Sequence, residues 1–114
     1  MGVWTQLGRR HWRWEGEVPG EPDSVIDAVT DAIRLLSPRS LSTPDPSAVF
    51  ARVGGTLPGA WAATEEVRAL VRAASSGATT LVLESKSVQL SLTDSGRNRA
   101  NLVTLLSTLG ISHR

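Results

Sequence analysis

Thr79-Thr80-Leu81-Val82-Leu83-Glu84-Ser85-Lys86-Ser87-Val88-Gln89-Leu90-Ser91-Leu92-Thr93 is the stretch on which the fold class turns. Leu81, Leu83, Val88, Leu90 and Leu92 alternate with Val82, Glu84, Gln89 and Ser91, the period of two that marks half-buried strands. With a turn centred on Ser85-Lys86, position 83 opposes 88 and 81 opposes 90, so these five apolar residues share one face of a hairpin. That turn has no glycine, so its geometry is less well specified than the pairing. A sheet is expected, and its apolar face needs a cover.

Helical patterns flank it. From Thr64 the residues read as a helix, with Thr64 as the cap and Glu65 and Glu66 in the first turn, where the helix dipole favours acids. Val67, Leu70, Val71 and Ala74 form its apolar stripe, Arg68 and Arg72 its outer side, and Gly77 its stop. Downstream, Asp94-Ser95-Gly96 leads into a last helix with Leu102, Leu105, Leu106 and Leu109 inward. Gly110 ends that helix, and Ile111 closes back on the preceding turn.

Further upstream, Ala48–Val53 reads as a strand closed by Gly54-Gly55, followed by Leu57-Pro58-Gly59-Ala60, a type II turn. Residues 60–63 fit either a short strand or a helix start. Residues 37–47 combine three prolines with four serines and read as a loop. Before it, Val25, Ile26, Val29, Ile33 and Leu36 form one helical stripe, capped by Asp23 or Ser24 and ended by Pro38. Arg10–Val18 alternates as a strand, with Arg10, Trp12 and Trp14 on one side and His11, Arg13, Glu15 and Glu17 on the other. Pro19-Gly20-Glu21-Pro22 breaks it.

The expected fold is therefore α+β. It is a two-layer sandwich with a mixed or antiparallel sheet of about four strands and two or three helices, in the order β-α-β-α-β-β-α. Residues 1–8 are expected to be a flexible N-terminal segment, 9–111 a single domain, and 112–114 a tail. The 114 residues are enough for one domain and a core without staples.

Composition excludes several chemistries. With no cysteine there is no disulfide framework, thiolate zinc site, iron–sulfur cluster or cysteine nucleophile. A reducing cytoplasm is the expected compartment. The first ten residues carry no apolar run after a basic one, so no secretory signal is expected, and no apolar run approaches the 18 residues of a spanning helix. Eleven of the twelve basic residues are Arg, the trace of a GC-rich bacterial genome.

A net charge of +1 conceals segregation. Residues 1–14 hold Arg9, Arg10 and Arg13 and no acid, whereas 15–31 hold Glu15, Glu17, Glu21, Asp23, Asp27 and Asp31 and no base. Trp12 and Trp14 among the arginines suggest a single-stranded nucleic-acid surface, where bases stack on indoles and guanidinium groups neutralise phosphate. A strand that sends both indoles to one side favours core burial instead, and partial exposure of Trp4, Trp12 or Trp14 would favour a protein partner. Asp23, Asp27 and Asp31 stand four apart on one helix ridge, a spacing at which like charges repel by about 0.2–0.5 kcal/mol per pair. With Glu15, Glu17 and Glu21 they suggest a surface for a basic partner. Arg97 and Arg99, at the start of the last helix, are anion candidates beside Arg9, Arg10 and Arg13.

Gly54-Gly55-Thr56-Leu57-Pro58-Gly59 lacks the Lys-Ser/Thr of a phosphate-binding loop and reads as a turn. His11 and His113 build neither a nucleophilic triad nor paired-histidine metal spacing. No metal, cofactor or catalytic residue is assigned.

The first expectation is thus a small bacterial interaction module without catalytic activity, an accessory, adaptor or immunity-type protein whose partner is another protein with a basic surface. A nucleic-acid-binding accessory protein is the alternative, and a small-molecule binder or enzyme with a pocket between sheet and helices is a third. No membrane association is expected, and self-association is left open.

Overall fold

A computed structural model describes residues 2–54, 64–87 and 97–113. Its elements are strands β1 (Val3–Gly8) and β2 (His11–Val18), helix α1 (Pro22–Arg34), strands β3 (Ser40–Asp45), β4 (Ala48–Gly54), β5 (Thr64–Ala73) and β6 (Thr79–Ser87), and helix α2 (Arg97–Thr108). The strands form one antiparallel sheet of six, in the order β1-β2-β6-β5-β4-β3. The chain crosses from β2 to the far edge through α1, then meanders back until β6 docks beside β2. Helix α1 lies over β4, β5 and β6, and α2 lies over β6 and β2. The α+β class holds, with six strands among the described residues in place of about four and a different order.

The inner face follows the strand register. Trp14, Leu83, Ala69 and Val49 form one cross-strand row, and Trp12, Ser85, Val67, Ala51 and Leu41 the next. Ile26, Val29 and Ile33 of α1 and Leu102, Leu105 and Leu106 of α2 close over these rows, all buried. The indole of Trp14 reaches past Gly16, which leaves room for it: a Cβ at position 16 would sit 2.7 Å from the ring. Among the described residues the opposite face carries no helix. Long side chains lie on it instead: Arg68 lies 5.1 Å over the Phe50 ring, and Val82 is buried between Glu15 and Leu70 of the flanking strands.

Residues 64–77 are not a helix. Glu65, Val67, Ala69 and Val71 point inward at a period of two, and Leu70, assigned to the helical stripe, is 42 % exposed on the other face. Gly77, expected to stop that helix, has φ 84° in the β5–β6 turn, where Gly77 N–H donates to the Ala74 carbonyl. A positive φ serves a helix end and a hairpin turn alike.

Ser85-Lys86 is not a turn either. Both residues lie inside β6, opposite Trp12 and His11 on one side and Val67 and Glu66 on the other. Residues 88–93, the return strand of the expected hairpin, and residues 60–63 lie outside the described residues. The 37–47 loop contains strand β3, and residues 3–8 of the expected N-terminal segment form strand β1.

The helix ends partly follow the expected signals. Helix α1 starts one residue before Asp23, at Pro22, and Glu21 is the extended capping residue without a side-chain capping bond. Proline's fixed φ suits the first helical position. At the end of α2 the Ile111 N–H reaches the Leu106 carbonyl and the Gly110 N–H the Ser107 carbonyl, with Gly110 at φ 72°. That is the expected glycine-terminated closure.

Candidate functional site

The acidic segment divides between the two sides of the sheet. Alternation along β2 sends Glu15 and Glu17 to the helix-free face, where Arg13 donates to Glu15 at 2.7 Å and Ser76 Oγ donates to Glu17 at 3.2 Å. Asp23, Asp27 and Asp31 lie instead on the exposed ridge of α1. They line one wall of a groove whose other wall is the β3–β4 hairpin, with Thr43, Asp45, Pro46 and Ala48. The groove has a volume of about 790 Å³.

Asp45, which sequence reasoning did not single out, is the fourth carboxylate of this groove. Its Oδ1 accepts from the Ser47 backbone N–H at 2.8 Å and from the Ser47 hydroxyl at 2.6 Å, the local turn that Asp-Pro-Ser favours. Those two bonds, the hydroxyl's first, hold its carboxyl below the ordinary value of 3.8. Among the described lining residues the single base is Arg34, and its guanidinium is 3.1 Å from Asp31. The groove thus presents four carboxylates and one partly neutralised cation.

The Trp and Arg candidates separate too. Trp14 is buried, and Trp4 and Trp12 are half-buried on the helix face, edge to face at 6.1 Å. The Arg99 guanidinium lies 4.7 Å over the Trp4 ring and 5.8 Å from Trp12, and Trp4 Nε1 donates to the His113 carbonyl. A cation from α2 therefore stacks on one face of Trp4 and stands beside Trp12. Arg9 and Arg10 lie in the β1–β2 turn, and the Arg10 carbonyl accepts from Asn98 and from the Ser87 N–H. Arg13 is on the helix-free face, 3.8 Å from Glu84, and Arg97 is 3.3 Å from Glu65. These five arginines do not share one surface.

Sequence reasoning also missed a polar network under the start of α2. Glu65 is 3 % exposed, with Arg97 at 3.3 Å and the Asn101 amide donating at 3.4 Å. Asn101 also donates to Ser85 Oγ, which in turn donates to Asn98 Oδ1 at 2.8 Å, and Asn98 donates to Ser87 Oγ. The chain of bonds ties the inner ends of β5 and β6 to the first turns of α2. As the reading of 64–77 as a helix placed Glu65 on a solvated first turn, no local signal marks it.

A separate cavity of about 450 Å³ opens between the β2 end of the sheet, α1 and the segment after α2. Its lining is mainly apolar, including Trp14, Val18, Val25, Val29, Leu109 and Ile111. Among the described residues no group of three or more His, Asp or Glu is placed to hold a metal ion, and no helix is long and apolar enough to cross a membrane. His11 lies 3.8 Å from Glu84, and the His113 carbonyl accepts from Trp4 on the other face of the sheet. No protein-family model, no curated protein and no solved structure matches this chain.

Proposed function

We propose that the protein is a small cytoplasmic interaction module of bacterial origin, an adaptor, accessory or immunity-type protein, that receives a basic segment of a partner protein in the groove between α1 and the β3–β4 hairpin. The supporting observation is the convergence of Asp23, Asp27, Asp31 and Asp45 from two elements on one groove. Carboxylates four apart on a helix repel one another. A partner's Lys or Arg side chains relieve that repulsion, and complementary charge also speeds encounter. The absence of cysteine supports the cytoplasmic part of the reading, and the Arg-for-Lys usage the bacterial part.

Affinity capture from a host extract tests the reading, with wild type beside D27K/D31K. Partners retained by wild type should be lost by the double variant and released by salt. An unchanged set of partners in the variant refutes the acidic groove as the binding surface.

A second reading, an apolar small-molecule site, has the 450 Å³ cavity in its favour, a volume within the range of ligand pockets. Enhanced emission of an apolar dye, abolished by Val25→Trp, tests it. The nucleic-acid alternative has less to rest on, since Arg99 stacks on Trp4 and stands beside Trp12, the indoles on which bases would stack.

A further inference from the structure

The two edges of the sheet are built differently. Strand β3 carries Pro44, which offers no N–H, the charge of Asp45, and a register irregularity between Ser42 and Asp45. Each of these blunts an edge against further pairing. Strand β1, Val3-Trp4-Thr5-Gln6-Leu7-Gly8, has no proline and no charged side chain, and Val3 and Leu7 are 64 % and 50 % exposed. Its register irregularity, between Gln6 and Gly8, lies at the turn end and takes in Leu7.

The pattern of β1 is also its own complement. In an antiparallel pairing with a second β1 about Thr5, Val3 of each copy opposes Leu7 of the other on the helix-free side, Trp4 opposes Gln6 on the helix side, and Thr5 opposes Thr5. Apolar faces apolar in that register, the kind of cross-strand pair that stabilises a sheet. The charges agree with it. Arg9 and Arg10 follow β1 directly, and antiparallel pairing puts the two Arg-Arg turns at opposite ends of the junction, where parallel pairing would set them side by side.

We infer that this chain forms a two-fold dimer by pairing β1 with β1, joining two six-stranded sheets into one continuous antiparallel sheet. The acidic groove lies at the opposite edge and stays open in such a dimer. Five residues a side bury less than the roughly 1,200–2,000 Å² of a standard interface. The dimer is accordingly weak, with a dissociation constant of about 10–100 µM.

Sedimentation equilibrium from about 1 µM to about 500 µM tests the inference on the full chain. Wild type should pass from monomer to dimer across that range. V3K/L7K, which sets one lysine against another at each of the two apolar pairs of the junction, should stay monomeric throughout. V3K/L7E, which sets lysine against glutamate there, should recover at least about tenfold of the lost affinity. Both positions are exposed, so all three proteins should melt alike, which separates loss of pairing from loss of fold. A wild type that is monomeric at the highest concentration, a V3K/L7K that dimerises like wild type, or a V3K/L7E no better than V3K/L7K each overturns the inference. None of these outcomes bears on D27K/D31K.

Discussion

Gly16→Ala should destabilise the protein only as long as Trp14 is present. Position 16 is buried within β2, opposite Leu81 of β6. An added Cβ would lie 2.7 Å from Trp14 Cη2, 2.9 Å from Cζ2 and 3.0 Å from the Gly2 Cα. Trp14 is 1 % exposed, and the 450 Å³ cavity that it lines leaves its indole only partial room to shift. Overpacking of this kind costs about 1–3 kcal/mol. Gly16 is not among the glycines with positive φ, so the substitution also removes backbone freedom from the unfolded chain, a gain of about 0.4–1 kcal/mol.

The net expectation is a loss of up to about 2.6 kcal/mol in the wild-type background. In Trp14→Phe the two indole atoms nearest the new methyl are gone, while the Gly2 contact is common to both backgrounds and cancels in the comparison. There Gly16→Ala should be neutral or stabilising by up to about 1 kcal/mol. Urea unfolding followed by far-ultraviolet circular dichroism across the four proteins of the double-mutant cycle measures the difference. A coupling below about 0.5 kcal/mol would refute the assignment of this glycine to indole clearance.

Arg97→Ala removes the cation from buried Glu65. Since Arg97 is itself 44 % exposed, the loss should be about 1–3 kcal/mol rather than that of a fully buried pair, and Glu65→Gln in the same background should recover part of it in urea unfolding. Ser47→Ala removes the larger of the two bonds that lower the Asp45 carboxyl, so its titration midpoint, followed by carboxyl-carbon NMR, should move up toward 3.8. The folded value lies below the unfolded one, so this contribution to stability is present above pH 3.8 and lost as pH falls through the folded value; wild type and Ser47→Ala should differ at neutral pH and converge in acid. Arg99→Ala should cost about 0.5–1 kcal/mol through the lost stacking and raise acrylamide quenching of tryptophan, with Arg99→Lys intermediate.

What was legible locally and what was not differ for physical reasons. The stripe Ile26, Val29 and Ile33 of α1 and the leucines of α2 have a single period, so each buries the face that its spacing marks. Residues 64–73 carry two periods at once. Val67 and Val71 belong to both, and the choice fell wrongly because inward Glu65 looks polar and outward Leu70 looks apolar. Arg97 and Asn101 make an inward Glu65 tolerable, and both lie more than 30 residues away in the chain. Ser85 misled in the same way: small and polar, it suggests a turn, yet it is buried in β6 because Asn98 of α2 accepts its hydroxyl.

Spacing and residue chemistry within single segments were enough for the α+β class, for β2, β4, α1 and α2 with its glycine closure, and for the exclusion of cysteine chemistry. Which faces meet depended on the assembled chain. Alternation along β2 turned Glu15 and Glu17 away from α1, and the return of β3 to the sheet edge brought Asp45 beside Asp23, Asp27 and Asp31. Arg99 arrived over Trp4 from almost the other end of the chain. Periodicity fixes which residues share a face; long-range pairing alone fixes what that face confronts, and so where the groove, the covered indoles and the β1 edge, unpaired among the described residues, lie.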